Sequence, residues 1–200
     1  MSINAAYATP AEYRRVIGMT DAGLDADISV DLMAVSRHLD GEMRRFFTRD
    51  AVPVARVYSP QYDTRALIVD DMSVAPTQVR VDTASNGTFA TALPVTAYEL
   101  LPHNAMLSPE PAPFTQIALV PWGTLAAFRA GQRVEVTTRW GWPAVPDAIR
   151  RATIHITAIL RLETPRATKR IAELGDTIET SHQAQNIIRQ LINQYKVWLV

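Results

Sequence analysis

The sequence predicts an α+β fold: helices in the N-terminal and C-terminal parts, a small antiparallel β module flanked by them, and a C-terminal amphipathic tail helix. Three observations predict it. Ile28, Leu32, Val35, Leu39, Met43 and Phe46 recur at spacings of 4, 3, 4, 4 and 3, which marks one continuous helix face. From Ala51 the chain changes to short alternating segments rich in β-branched residues, the pattern of half-buried strands. After Pro146 the helical period returns, with Ile149, Ala152, Ile156 and Ile159 on one stripe.

In chain order, Thr9, Pro10 and Glu12 form a helix start: threonine caps, proline takes the first helical position and glutamate returns to the cap. This helix is short and ends near Gly18. The second begins near Asp25 or Asp27, whose charges suit a helix N-terminus, and runs to about Phe47, with Arg37, Asp40 and Arg44 off its apolar stripe. The strand candidates are "VARVYSP", "ALIVDDMSV", "QVRVDT", "AYELL", "TQIALV" and "RVEVTTRW". Asn86-Gly87, between Gln78–Thr83 and Thr88–Leu93, gives the strongest hairpin signal in the chain. "LPHNAMLSPEPAPF" is rich in proline and predicts a loop. The third long helix ends or kinks at Pro165, and "RATKRIAEL" forms one more short helix before Gly175. "DTIETSHQAQ" is polar and predicts a linker. "NIIRQLINQYKVWLV" is amphipathic again, with anchors Ile188, Leu191, Ile192, Tyr195 and Trp198. The domain reading is therefore 1–50 and 144–175 for the helical core, 51–143 for the β module, and 176–200 for a tether and partner-docking tail.

Composition narrows the function. Nearly half of the 200 residues are hydrophobic and the 20 basic residues are balanced by 20 acidic ones, so no net field draws the chain to nucleic acid or anionic lipid. The chain has no cysteine, which excludes disulfides, thiolate catalysis and cysteine-based metal sites. No apolar run reaches the length of a membrane span. The start "MSINAAYATPAEYRR" lacks the basic and apolar regions of a signal peptide, so use in a cytoplasm is expected.

Chemistry-bearing constellations are absent from the sequence. His38, His103, His155 and His182 lie on separate elements without metal-ligand spacing. No nucleophile elbow, phosphate-binding loop or dinucleotide fingerprint occurs. Asp70, Asp71 and Glu110 are the only candidates for paired carboxylates. Aspartates between a strand and a turn ordinarily serve the backbone, and Glu110 sits among prolines in a loop. The basic doublets Arg14-Arg15, Arg44-Arg45 and Arg150-Arg151 each belong to a different helix and have acidic neighbours, which fits solvated faces and intersubunit pairs better than a nucleic-acid surface. No enzyme activity, cofactor or metal is expected.

Two stretches remain. The tail carries apolar anchors at helical spacing beyond a polar tether, and it either packs on its own helices or docks in a partner's groove. Trp140, Gly141, Trp142, Pro143 and Pro146 suggest a pocket wall at first sight. Their order reads better as a structural junction: an alternating strand, a glycine that permits a sharp change of direction, a proline that stops pairing, and a proline that opens the next helix with Asp147 at its positive end.

The strings "YATPAEYRRVIGM", "HLDGEMRRFFTR", "LIVDDMSVAPTQVRVD", "NGTF", "YELLPHNA" and "RWGWPAVPDAIRRATI", in that order, resemble the head–tail connector (adaptor, head-completion) proteins of long-tailed bacteriophages. The resemblance runs from about Tyr7 to Leu162, and it implies a helical-bundle core, built from the N-terminal and C-terminal helices, into which the small antiparallel β module at Ala51–Trp142 is inserted. It implies a structural virion protein at the neck, made in the host cytoplasm and assembled as a homo-oligomeric, dodecameric ring under the portal protein. The ring completes the DNA-filled head and joins it to a neck or tail-completion protein (stopper or tail terminator). It implies that genomic DNA passes through without sequence-specific binding, that no membrane is involved, and that the C-terminal segment packs on the portal. The tail residues Ile188, Leu191, Ile192, Tyr195 and Trp198 are assigned that docking role by position and amphipathicity. The alternative is a non-viral α+β protein-interaction adaptor without catalytic activity.

Overall fold

The computed structural model describes residues 5–107, 110–162, 186, 189–190 and 193–196. The fold is α+β: the described residues include helices Pro10–Ile17, Asp25–Met43 and Asp147–Leu162, two short 3-10 turns, helical residues 186, 189, 190 and 193–195 in the tail, and two antiparallel sheets. The chain divides into two units, Phe46–Ala144 and Ile3–Arg45 with Val145–Val200.

The second unit is helical. Helix α1 (Pro10–Ile17) is set by its cap: the Glu12 amide donates to Thr9 Oγ1 at 3.2 Å, and the Thr9 amide donates to the Glu12 carboxylate at 2.8 Å. This reciprocal capping box satisfies two donors that a helix start leaves orphaned. The Thr9 backbone bond, together with smaller contributions from its hydroxyl and nearby arginines, outweighs partial burial and lowers the Glu12 pKa. At the other end Gly18 adopts the left-handed conformation, φ 74°, and the Met19 amide bonds Arg14 O at 2.9 Å.

Helix α2 (Asp25–Met43) buries Ile28, Leu32, Val35, Leu39 and Met43, each at most 2% exposed. The stripe ends there. Arg44 turns left-handed at φ 55° and stops the helix, so Phe46 is 43% exposed and Phe47 is the buried aromatic. Asp40 is also buried, contrary to its position off the stripe, because the arm before α1 covers it. The Tyr7 hydroxyl donates to the Asp40 carboxylate and the Tyr7 amide to Ser36 Oγ at 2.9 Å; Arg37 pairs with Asp40 at 3.1 Å.

Helix α3 (Asp147–Leu162) begins one residue after Pro146, whose carbonyl accepts the Arg150 amide at 3.0 Å. Its buried face is Ile149, Ala152, Thr153, Ile154, Thr157 and Ala158; Ile156 and Ile159 are only half-buried. Counting apolar residues alone misplaces this face, because Thr153 joins it by donating its hydroxyl to Ile149 O at 2.9 Å. Ala8, Tyr13, Ile28, Leu32, Ile154 and Ala158 form one cluster where the helices meet. Arg161 pairs with Asp31 and Arg150 with Glu12 across the helices. The segments "RATKRIAEL" and "DTIETSHQAQ" lie outside the described residues.

The first unit is all β. Strands β1 (Val54–Tyr58), β2 (Ala66–Met72), β3 (Gln78–Asp82), β4 (Thr91–Ala92), β5 (Tyr98–Leu101), β6 (Phe114–Leu119) and β7 (Arg133–Thr138) form sheets ordered β1-β7-β3-β4 and β2-β6-β5. Isolated bridges Met72–Trp140 and Thr64–Phe128 tie β2 to the segments around β7. Register puts Val79 opposite Val136 and Val81 opposite Val134. These valines share one core with Leu67, Met72, Ile117, Phe128 and Trp140 from both sheets.

Two local expectations change. Asp70 and Asp71 lie within β2, not beyond it. Asn86-Gly87 is not a two-residue hairpin turn: β3 and β4 pair Val81 with Thr91, and Asn86 and Gly87 sit in the wide loop between. The buried Asp82 carboxylate organises that loop, accepting the amides of Asn86 at 3.1 Å and Gly87 at 2.8 Å and pairing with Arg133 at 3.1 Å.

Candidate functional site

The chain from Arg139 to Trp142 leaves β7 and is bonded on both sides. On one side the Asp50 amide donates to Trp140 O at 2.9 Å, and Arg139 Nε donates to Asp50 O at 2.9 Å. On the other, Ser73 donates both its amide and its hydroxyl to Arg139 O, and the Gly141 amide donates to Asp71 O at 2.7 Å. Gly141 is at φ 98°, and a Cβ there would run into the carbonyl of Thr48. Only glycine fits both the dihedral and the space.

The two tryptophans are occupied by their own chain. Trp140 is 2% exposed and donates its indole N–H to Val54 O at 2.7 Å. Its ring is tilted 50° against Tyr58 at 5.7 Å, with the Arg56 guanidinium 4.6 Å from the ring centre. Trp142 is 6% exposed, lies 5.2 Å from Phe47, and donates its indole N–H to Asp71 Oδ2 at 3.1 Å. Nothing of either ring is left to wall a ligand pocket.

The adjacent carboxylates Asp70 and Asp71, weighed as a candidate pair and read as serving the backbone, are separated by strand alternation. Asp70 faces out, bonded to Arg56 at 2.6 Å and to the Tyr58 hydroxyl at 2.9 Å; Asp71 faces in. Burial first, and then the Asp70 charge, hold the Tyr58 hydroxyl well above the ordinary tyrosine range. Glu110 is exposed in the loop before β6. His38, His103 and His155 are exposed, with His103 3.8 Å from Glu99, and His182 lies outside the described residues. Among the described residues no three His, Cys, Asp or Glu side chains are grouped to hold a metal ion, and no helix is long and apolar enough to cross a membrane.

Of the tail anchors, Ile188, Leu191, Ile192 and Trp198 lie outside the described residues. Tyr195 is 8% exposed, and its carbonyl accepts a hydrogen bond from Arg45 at 3.1 Å. Pro143 follows the last bonded residue of the β7 extension, and Pro146 precedes α3.

Sequence reasoning passed over two features. Phe89 lies between two guanidiniums, 5.9 Å from Arg80 and 5.8 Å from Arg133, which pins the loop Asp82 organises; an aspartate three residues before Ser-Asn-Gly was its only signal. Trp122, in a turn that reads as ordinary "PWGT", is 77% exposed. So large an exposed aromatic is uncommon and is typical of contact surfaces.

No family model matches the chain, and no curated protein matches it in sequence. Solved structures do match its fold. One is a chain of the structure described as "Neck of empty GTA particle computed with C6 symmetry", at TM-score 0.54 and 16% identity, covering 96% of this chain and 90% of that one. Another belongs to "Virion of native gene transfer agent (GTA) particle", at TM-score 0.51, 16% identity and the same coverages of 96% and 90%. At that identity the likeness is one of fold, and it extends over nearly the whole of each chain.

Proposed function

We propose that this chain is a structural neck protein of a phage-like particle, and that it forms the head-to-tail connector ring beneath the portal. The observation that carries the reading is the fold match to chains of gene transfer agent particles, one of them in the neck, over nearly full length. The family resemblance of the quoted strings supports it independently.

The work of such a chain is assembly and conduction, with no bond made or broken. Each subunit presents two different faces to its neighbours, since a ring requires a heterologous contact that closes on itself. Balanced charge carried mostly by arginine suits that geometry: guanidiniums on one face meet carboxylates on the next. A chain with formal net charge +0 also suits a channel through which DNA slides without being gripped. In this reading the tail docks on the portal through Ile188, Leu191, Ile192 and Trp198. Tyr195 is buried in the free chain, so its side chain reaches the portal only if that part of the tail leaves its seat on assembly. The ring is dodecameric, and the next partner along the axis is a stopper or tail-terminator protein.

Deleting the gene tests the reading. DNA-filled heads without tails should accumulate, with the protein restored to the neck by complementation. Normal tailed particles from the deletion strain would instead favour a non-viral adaptor.

A further inference from the structure

Asn-Gly is a self-reactive dipeptide, because glycine leaves its own peptide nitrogen open to attack the preceding asparagine side chain. Asn86-Gly87 is exposed to water in the loop between β3 and β4. The reaction needs no partner but water. The Gly87 nitrogen loses its proton and bonds to Asn86 Cγ; the Cγ–Nδ2 bond breaks, and the side-chain nitrogen takes up a proton and leaves as ammonia. Water then opens the cyclic imide at either of its carbonyls. One opening gives aspartate at position 86. The other gives isoaspartate, whose backbone runs through Cβ and Cγ and is longer by a carbon.

The loop holds back the proton that must leave first. The Gly87 amide donates to Asp82 Oδ2 at 2.8 Å, and the Asn86 amide donates to Asp82 Oδ1 at 3.1 Å. Asp82 is fully buried, so an amide anion formed at Gly87 would face a carboxylate at hydrogen-bond distance in a medium that screens poorly. Arg133 pairs with the same Oδ2 at 3.1 Å, and its single charge offsets one of those two anions. Burial works against the Asp82 charge, but the Gly87 and Asn86 amides and Arg133 outweigh it and lower the pKa from 3.8. A carboxylate so held is a poor base for an amide proton. The reacting side chain is held as well, since Asn86 Oδ1 accepts both the Thr88 amide, at 3.0 Å, and the Thr88 hydroxyl.

We propose that Asn86-Gly87 is a latent self-modification site, and that Asp82 keeps it closed in the folded chain by holding the Gly87 N–H. Any state that lifts Asp82 off the two amides starts the reaction. Conversion to isoaspartate then keeps the loop open, because the added backbone carbon shifts Gly87 relative to Asn86 and one carboxylate no longer meets both amides. The inference concerns this loop alone and stands whether or not the chain forms a ring.

For the test, the full chain is incubated at mildly alkaline pH, folded and in guanidinium chloride. Position 86 is followed by peptide mass spectrometry and by enzymatic methylation of isoaspartate. The folded chain should convert about tenfold or more slowly than the unfolded one. Asp82→Asn, shown to be folded by its melting curve, should lose most of that protection. Hydrogen exchange at the Gly87 amide gives a second readout on the wild-type chain, because base-catalysed exchange passes through the same amide anion. Exchange should be slowed about tenfold or more relative to the unfolded chain. Equal conversion of folded and unfolded wild type would overturn the proposal. So would a folded Asp82→Asn that converts at the wild-type rate, or unprotected exchange at Gly87. Should Asp82→Asn not fold, Gly87 exchange in the wild type decides.

Discussion

Trp142 and Asp71, separated by 71 positions, are joined by a 3.1 Å hydrogen bond in the interior of the β unit. The indole fills space against Phe47 while its N–H meets a carboxylate that is only 9% exposed. A buried carboxylate is costly to strand, so ring and donor act together. Trp142→Ala should destabilise the chain by about 3–5 kcal/mol. Trp142→Phe, which keeps most of the ring and loses the donor, should cost about 1–3 kcal/mol. Chemical denaturation of both variants checks this, and a cost near zero for Trp142→Ala would restore the idea of an open binding site.

Gly141 and Gly18 both have positive φ, 98° and 74°, but only Gly141 is hemmed in by backbone. Gly18→Ala should cost about 1 kcal/mol, the price of the dihedral alone. Gly141→Ala must also displace Thr48 and should cost on the order of 3 kcal/mol or more. Melting curves of the two variants should rank them in that order.

Asp82 and Asp40 predict opposite responses to acid. For Asp82, burial works against the charge, yet the Gly87 and Asn86 amides and Arg133 outweigh it and the pKa is lowered from 3.8. Its stabilisation is therefore present above the unfolded value and is lost as pH falls through the folded one. For Asp40, burial dominates over the Tyr7 bond and Arg37, and the pKa is raised from 3.8. Its contribution is fully present below the unfolded value and is lost as pH rises through the folded one. Between about pH 6 and pH 3, the stability gap between wild type and Asp82→Asn should shrink. Over the same range Asp40→Asn should lose ground relative to wild type. Parallel curves for the two variants would contradict the assignment.

Much of this fold was legible in the sequence where local physics decides. The Thr9–Glu12 capping box, the five buried apolar residues of α2 and six of the seven strands follow from caps and periodicity. What tertiary contact decides was not legible. Phe46 continues the helical spacing, but Arg44 ends the helix two residues before it. Asp40 reads as a surface residue until Tyr7 covers it. Thr91–Ala92 pairs for only two residues because the Asp82-organised loop takes up the preceding chain. Asp71 looked like an aspartate at the end of a strand, and the donor that explains its burial is an indole from another part of the sequence. The junction reading of Trp140 to Pro143 came from strand, glycine and proline chemistry, but what surrounds the two rings only the structure shows. Trp122 carried no sequence signal, because exposure is not a local property.

The tail offers a separation of roles. Tyr195 is seated on its own unit, so Tyr195→Ala should cost the free chain at least about 1 kcal/mol. Trp198→Ala should change the free chain's stability by less than about 0.5 kcal/mol and weaken capture by portal complexes about tenfold or more. Unfolding of the free chain by Trp198→Ala would assign that residue to the chain's own core and remove it from the docking surface.

The central claim, that the chain assembles as a ring on the portal, is tested most directly by imaging portal complexes with and without the purified protein in negative stain. The account predicts an additional ring of density beneath the portal, on the same axis, whenever the protein is present. Portal averages that are identical in both samples, with the protein remaining unattached in the background, would contradict it.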